Sequence, residues 1–373
     1  MRIGVVTEDY YPSIGGVPEH VHHFAREARR LGHVVRIVTS EMRDASSREV
    51  GSDPLSSEVL RIGASHPLAR PGAVSRLTGG TGVGAAMREL FARERFDVVH
   101  VHAPLSPVLP LLAVHHATGP VVGTFHPGAR PGLLFRLARG TLQRYLDRLD
   151  AAIAVSRAAV APYRERLRAD FRVIPTGVDY ERFSRGRKLR RFDDGKLNVL
   201  WAGRPDPHNG LDALITAFHR AWKQVDARLL VVGDGPRLAR YRASVPAELE
   251  EDVVFAGRVD DERPDWFATA DVVCAPAQGP SAGMTLLEAM AAGKPVLASD
   301  VDGYRELVQH GREGEILGAD DESAWARAIV RIAREPARAA AYGERGRAVA
   351  QRRAWPLVAR EVLGVYRSIG VRG

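Results

Sequence analysis

Short β-branched runs alternate with helix-length amphipathic stretches along almost the whole sequence, and the alternation starts afresh near the middle. Nothing else constrains the fold as strongly. Strand–helix–strand repetition at this spacing builds parallel sheets covered by helices on both faces. In the first half, strands are expected over 3–7, 34–39, 59–62, 98–102, 121–125, 152–155 and 171–174, with helices over 17–31, 82–93 and 133–149. After Gly195, strands are expected over 197–202, 228–232, 253–256, 272–275, 295–298 and 314–317. Helices over 210–223, 237–244, 265–270, 285–292, 305–309 and 322–335 interleave with them. The expected architecture is two Rossmann-like, doubly wound parallel-sheet α/β domains, over 1–180 and 196–355, joined by a polar, basic, aperiodic linker at 181–195. The amphipathic tail supplies a last helix, with 356–373 expected to pack back on the first domain. Open sheets of this kind take ligands at the carboxyl ends of their strands, so two facing domains imply a cleft that closes and excludes water.

A chain of 373 residues, 45% hydrophobic and 26% charged, carries enough apolar surface for two such cores. Cys274 is the only cysteine, which excludes an internal disulfide and any cysteine-based zinc cluster and fits a reducing compartment. The start MRIGVVTEDYYP lacks the basic leader, apolar run and cleavage site of a signal peptide. No run approaches the roughly 18 apolar residues of a spanning helix. The expected location is the cytoplasm, or the inner face of the cell membrane as a peripheral protein. The net charge is +8, and ten arginines between Arg130 and Arg172 face only Asp147, Asp150, Glu165 and Asp170. This bias favours anionic partners such as nucleotide phosphates or an anionic membrane surface. It reads equally as an ordinary solvated face. Aromatic residues do not interleave with the arginines as in a single-strand groove, so nucleic acid is not expected.

Four segments carry chemistry. Gly15 and Gly16 follow the first strand and open the helix near Val17; glycine backbone lets a diphosphate approach the free N–H groups of a helix start. The same pair reads as a tight loop. Gly203 and Arg204 end the strand over 197–202, where a guanidinium grips phosphate oxygens through two parallel hydrogen bonds or pairs with a loop carboxylate. Gly233 opens a tight turn after the strand over 228–232. A small-residue loop ending at Gly283 enters a helix near Thr285, and Glu288 lies on its first turns. A carboxylate there accepts hydrogen bonds from both hydroxyls of a ribose, or serves the helix dipole.

With these four signals in this order, the chain resembles the family-4 retaining glycosyltransferases of GT-B fold, and among them is most similar to phosphatidylinositol mannosyltransferases and their bacterial relatives. The resemblance runs from Met1 to about Arg367 and is carried by MRIGVV with GGV, GTFH (123–126), IPTGVD (174–179), GRPDP (203–207), GDGP (233–236), ADVVCAP (270–276) and LLEAMAAGKPVLASDVDGYREL. It implies a hexose, mannose among the candidates, moved from a GDP- or UDP-linked sugar to a lipid or saccharide acceptor, with retention, without a metal and without a cofactor. Gly15 and Gly16 are implied beside the phosphates, His126 beside the donor sugar and acceptor, and Arg204 on the diphosphate as the charge stabiliser. Glu288 is implied on the ribose, and Arg258, Val259 and Asp261 around the nucleobase. Gly283, Met284, Thr285 and Leu286 fall near the phosphates. The acceptor loop is matched over 70–77 at Gly72, Val74, Arg76 and Leu77, with Arg76 implied to meet an acceptor phosphate.

Two departures from the family pattern stand out. Asn209 occupies the place of a phosphate-binding lysine, with His208 beside it as a substitute cation. Pro280 occupies the place of the first of two glutamates spaced eight apart, in a loop (277–283) that is one residue short. These departures define a second reading, a catalytically impaired relative that binds a sugar nucleotide or a partner protein. Pro18, Pro71, Ala73, Pro127 and Pro131 replace polar residues of the relatives' inositol pocket, so the expected acceptor is not phosphatidylinositol itself.

Other signals are set aside. His20, His22 and His23, His100 with His102, and His115 with His116 lack a carboxylate or cysteine set at ligand spacing, so no metal is expected. Asp300-Val301-Asp302 follows a late strand and reads as a loop. Gly80-Thr81-Gly82 with Ala85 imitates a dinucleotide fingerprint, but no strand is expected before it, which argues against a nicotinamide cofactor. The helix over 133–149 carries leucines on one side and Arg136, Arg139, Arg144 and Arg148 elsewhere. It suits membrane docking or core packing.

Overall fold

A computed structural model of the chain describes residues 1–13, 15–42, 55–70, 73–127, 133–279 and 281–372. The chain forms two compact units, one of Met1–Thr176 with Trp355–Gly373 and one of Gly177–Ala354.

The first unit holds an eight-stranded sheet: β1 (Arg2–Val6), β2 (Val34–Glu41), β3 (Val59–Arg70), β4 (Ala73–Gly79), β5 (Val98–His102), β6 (Val121–Phe125), β7 (Ala151–Ala154) and β8 (Phe171–Val173). Their order is β4-β3-β2-β1-β5-β6-β7-β8. Every pair is parallel except the β3–β4 hairpin. All residues of β5 and β6 are buried, as befits central parallel strands covered on both faces. The helix Gly16–Arg30 turns Val21, Phe24, Ala25 and Ala28 inward. There they join Ile3, Val5, Val358, Leu363 and Tyr366 in one cluster, so the last helix, Trp355–Ser368, is a piece of the first unit's core.

The second unit holds six strands: β9 (Leu197–Ala202), β10 (Ala227–Val232), β11 (Val253–Gly257), β12 (Val272–Ala275), β13 (Val296–Ser299) and β14 (Gly314–Leu317). They run β11-β10-β9-β12-β13-β14, all parallel. One face packs Leu200, Leu230, Phe267, Leu287 and Met290; the other packs Val199, Trp201, Phe218, Leu229 and Trp325. Strand order reverses between β1 and β5 and again between β9 and β12. At such reversals neighbouring loops part and leave a crevice at the strands' carboxyl ends.

Several expectations need correction. Residues 181–195 are not a free linker: a helix, Tyr180–Ser184, and a turn of 3-10 helix, Arg190–Phe192, bury Phe183 and Phe192 in the second unit's core. Polar Ser75 and Arg76 masked the alternation of β4, which pairs antiparallel with β3, so the segment expected as an acceptor loop is largely a strand hairpin. Its Pro71 and Gly72 lie outside the described residues. A strand therefore does lead into Gly80-Thr81-Gly82, contrary to expectation. It is an antiparallel edge strand, away from the reversal at β1 and β5 where a nucleotide crevice forms. The single helix expected over 133–149 is two, Leu133–Leu137 and Arg139–Leu146, because Ala138 leaves helical geometry (φ −82°, ψ 2°) just before Gly140. Helices at Leu109–His116, Arg157–Arg164 and Pro336–Arg352 were not expected at all.

Candidate active site

In the second unit, β9 runs into Gly203 and Arg204, and the surrounding loops close on them. Gly203 N–H donates to Val232 O at 2.9 Å, and a Cβ on Gly233 would stand 1.7 Å from Gly203 O. With φ at +139°, Gly233 occupies backbone space open to glycine alone. Gly235 lies against the Arg204 side chain, its Cβ position 3.3 Å from Cγ. From the far side, the Thr285 hydroxyl donates to Ala202 O at 3.3 Å. Arg204, Gly233 and Thr285, distant in sequence, thus share one edge of the sheet. The helix Met284–Ala291 begins there with Gly283 (φ +71°) as its N-cap and no side-chain cap, which leaves first-turn N–H groups for an anion. Met284 and Thr285 are half-buried. Leu286 is fully buried in the core and offers only backbone.

Arg204 is 44% exposed, and its Nε–H donates to Asp206 Oδ2 at 2.5 Å. Its terminal amines make no hydrogen bond among the described residues. Asn209, expected near the donor phosphates, is turned inward: its Nδ2 donates to Arg204 O at 2.7 Å, and its own carbonyl accepts from the Trp201 indole at 3.1 Å. It fixes the backbone that carries Arg204. His208 is exposed, and its carbonyl accepts from Gln278 N–H at 2.8 Å. Pro280 lies outside the described residues.

Glu288 has a partner that sequence reasoning missed. Arg263 Nε and Nη2 donate to its two carboxylate oxygens at 3.1 and 2.6 Å, a bidentate clamp that holds the carboxylate in one orientation. Each oxygen keeps lone pairs for further donors. No local pattern links an arginine to a glutamate 25 positions later; only the adjacency of their two helices does. Arg258, Val259 and Asp261 line an open pocket of about 730 Å³ with Phe192 and Trp266, in which Arg204 and Glu288 take no part. Arg258 pairs with Asp260 at 2.8 Å, and Arg182 donates to Asp260 O at 2.8 Å, holding this loop at a residue with φ +32°. Asp300, part of the discounted Asp-Val-Asp, is engaged by Arg305.

In the first unit, Gly15 (φ 170°, ψ 173°) precedes the uncapped helix Gly16–Arg30, and both glycines are exposed. A Cβ on Gly15 would meet only Pro18 Cδ, at an ordinary 3.7 Å, so the protein's own packing does not demand glycine there. Arg76 donates from Nε to Ser65 Oγ at 2.6 Å. Nearby, Asp9 Oδ1 is buried without a hydrogen-bond partner among the described residues, and burial raises its carboxyl above the usual range while Arg76 pulls it back. Burial pushes Glu8 up to about 7 against donors from Thr78 and Leu109. His126, half-buried at the end of β6, stands with its Nε2 2.9 Å from His102 Nδ1. Burial holds His126 down at about 4. The pairing was legible in part: residues two apart on a strand share a face, so His100 and His102 in VVHVH point the same way.

Comparisons with known proteins bear on the family and the fold. Residues 14–182 match the family model described as Glycosyltransferase Family 4, and residues 196–335 match Glycosyl transferases group 1. The chain is 33% identical to a phosphatidyl-myo-inositol mannosyltransferase of Mycobacterium leprae, over 100% of this chain and 98% of that one. It is 29% identical to a GDP-mannose-dependent alpha-(1-6)-phosphatidylinositol monomannoside mannosyltransferase of Mycobacterium tuberculosis, over 93% and 92%. Among solved structures, a glycosyltransferase from Rickettsia africae superposes with a TM-score of 0.79 at 18% identity, covering 99% of this chain and 98% of that one. HepE from Anabaena, in complex with UDP and glucose, gives 0.77 at 20% identity, covering 99% and 100%. These likenesses show the fold, GT-B.

Proposed function

The chain belongs to the family-4 glycosyltransferases and is a glycosyltransferase, and from that premise we propose that it moves a hexose, mannose in the first instance, from a GDP- or UDP-linked donor to a hydroxyl of a lipid or saccharide acceptor, with retention and without a metal. The observation that carries this reading is the junction at the carboxyl edge of the second sheet. There an arginine whose terminal nitrogens make no hydrogen bond among the described residues, a glycine-only turn and an uncapped helix start meet within one loop cluster. Such a junction suits a diphosphate: Arg204 presents two parallel N–H donors, and the helix start adds backbone donors.

In the proposed reaction the bond from the anomeric carbon to the β-phosphate oxygen breaks as the acceptor oxygen bonds the same face of that carbon. The acceptor proton passes to the departing phosphate. Arg204 and the N–H groups of Met284, Thr285 and Leu286 neutralise charge growing on that phosphate, which is the service a divalent cation gives elsewhere. The family resemblance assigns Gly15 and Gly16 to the phosphates; Glu288 accepts from the ribose hydroxyls, and Arg258, Val259 and Asp261 face the nucleobase. The same resemblance assigns His126 to the sugar. The mycobacterial relatives' names support mannose and GDP, and support a phosphorylated lipid as acceptor, with Arg76 on its phosphate. No helix of the described residues is long and apolar enough to cross a membrane. Leu137, 75% exposed beside exposed Arg136 and Arg139, suits peripheral docking on an anionic inner surface, while Leu142 and Leu146 pack inward.

A second reading, binding without ordinary turnover, draws on Asn209, whose amide is spent on the Arg204 carbonyl and leaves the phosphate clamp one cation short. Calorimetry with GDP and UDP tests the site: wild type binds one of them, and Arg204→Ala and Glu288→Ala each weaken it. Unchanged affinity in both variants removes the assignment.

A further inference from the structure

The first unit encloses an array of imidazoles larger than sugar transfer at His126 requires. β5 supplies His100 and His102, the end of β6 supplies His126, and the helix Gly16–Arg30 supplies His20. His100 is held at both nitrogens, 2.6 Å from the Tyr366 hydroxyl at Nδ1 and 2.6 Å from the Thr124 hydroxyl at Nε2. Tyr366 comes from the last helix, so the chain's return to the first unit anchors the array. The His102 ring stacks on His100 (4.6 Å between centroids, 28°) and lies nearly parallel to His126, side by side with it (5.2 Å, 24°). His20 meets His102 and His126 edge-on, and its Nδ1 lies 3.3 Å from the Thr176 hydroxyl.

Two facts fix the proton between His102 and His126. First, both rings are neutral: burial and the neighbouring imidazoles hold His102 well below its usual value, and burial does the same for His126. One ring must then donate across the 2.9 Å contact and the other accept. Second, His102 Nε2 is buried and has no hydrogen-bond partner among the described residues. If His126 were the donor, His102 would carry its own proton on that Nε2, as a buried N–H facing no acceptor. If His102 is the donor, Nε2 is only a bare lone pair. A buried unpaired N–H is the rarer of the two arrangements in folded proteins. The contact therefore runs from His102 Nδ1–H to His126 Nε2.

We infer that His102 is a positioning residue that fixes His126 as its Nδ1–H tautomer, so that His126 presents a hydrogen-bond donor, and not a proton acceptor, to the transferred sugar. This deepens the reading in which His126 faces the donor sugar, and rests on it for the identity of that ligand. His126 is half-buried, and its Nδ1 makes no hydrogen bond to the described residues, so the donor is available. An Nδ1–H donor cannot deprotonate the acceptor hydroxyl, which leaves that proton to the departing phosphate.

The test is nitrogen-15 NMR of the full-length protein labelled at histidine, without substrate, on wild type, His102→Asn and His102→Leu. Asparagine places an amide N–H close to the position of Nδ1; leucine places none. Wild type and His102→Asn are expected to show His126 protonated at Nδ1, and His102→Leu to shift His126 toward the Nε2–H form. With a nucleotide sugar, His102→Leu is expected to lower kcat about tenfold, the worth of one hydrogen bond, with KM for the donor nearly unchanged, and His102→Asn to restore most of it. An Nε2–H tautomer in wild type overturns the inference, and so does an unchanged tautomer in His102→Leu. Should the leucine variant not fold, the wild-type spectrum decides alone. The spectrum involves no ligand, so its failure is distinct from a failure to bind or transfer sugar.

Discussion

Replacing Arg263 with alanine isolates a residue whose only link to the donor site is geometric. Its two donors reach Glu288 at 3.1 and 2.6 Å, with the Arg263 and Glu288 side chains 27% and 14% exposed. Charge-assisted hydrogen bonds contribute roughly 1.5–3 kcal/mol each when well buried. Partial exposure scales this pair to about 1–2 kcal/mol of folding stability. The effect on ligand binding comes through orientation. Arg263 occupies one lone pair on each oxygen and aims the others; without it the carboxylate rotates, and a ribose must order it on binding. A loss of about 1–1.5 kcal/mol, near tenfold in nucleotide affinity, is expected. Arg263→Lys keeps the charge but not the planar fork and should fall between. Calorimetry on wild type, Arg263→Ala, Glu288→Gln and the double variant closes a cycle, with a coupling of at least about 1 kcal/mol expected. Strictly additive losses, or an Arg263→Ala protein that binds as wild type does, would show that Arg263 does not orient Glu288 for the ligand.

Three more expectations follow from the same coordinates. Gly233→Ala places a Cβ 1.7 Å from the Gly203 carbonyl at φ +139°, and should cost roughly 3 kcal/mol or more in urea denaturation; a loss under about 1 kcal/mol means the turn is not as tight as described. Arg204→Ala should weaken a nucleoside diphosphate at least about tenfold while leaving the bare nucleoside unaffected, with the gap narrowing in high salt; equal losses for both contradict a phosphate role. Stability should fall in mild acid. Burial and neighbouring imidazoles hold His20 and His102 well below the usual histidine value, and His100 near 3, while burial alone holds His126 near 4. The unfolded chain therefore binds more protons once the pH drops below about 6.5, and stability present above that value drains away at about 1.4 kcal/mol per pH unit per histidine. Glu8, raised to about 7, opposes this with one proton, since its effect lowers stability as pH rises from 4.5 to 7. The net slope should be on the order of 3–4 kcal/mol per unit between pH 6 and 5, and denaturant titrations giving a flat profile there contradict the buried neutral array.

Much of the scaffold was open to reading because buried parallel strands print themselves as short apolar runs: Val98–His102, Val121–Phe125 and Leu197–Ala202 are found where periodicity places them. The glycine-marked edge was legible for a similar reason. Gly233 and Gly283 sit at positive φ, where other residues strain, and both flank strands or helix starts visible in the sequence. What escaped was whatever depends on tertiary neighbours. β4 is an edge strand in which Ser75 and Arg76 break the apolar alternation. Phe183 and Phe192 turn a polar, basic stretch into core because two aromatic side chains outweigh their surroundings. Asn209 reads as a ligand donor from its place in the motif, yet a nearby carbonyl claims its amide. Arg263 and the His102–His126 contact join residues that no helical or strand period relates.

Sugar transfer itself can be observed directly. The direct measurement incubates the full-length protein with isotope-labelled GDP-mannose, and in parallel UDP-hexoses, together with vesicles of phosphatidylinositol or with a panel of saccharides, in the presence of a chelator, and reads the anomeric configuration of the product by NMR. The expected result is labelled product carrying the donor's α configuration, formed at a rate the chelator does not change and lost in Arg204→Ala. Product of inverted configuration, dependence on added metal, or no transfer to any acceptor despite tight nucleotide binding would mean that the site does not carry out retaining, metal-free transfer.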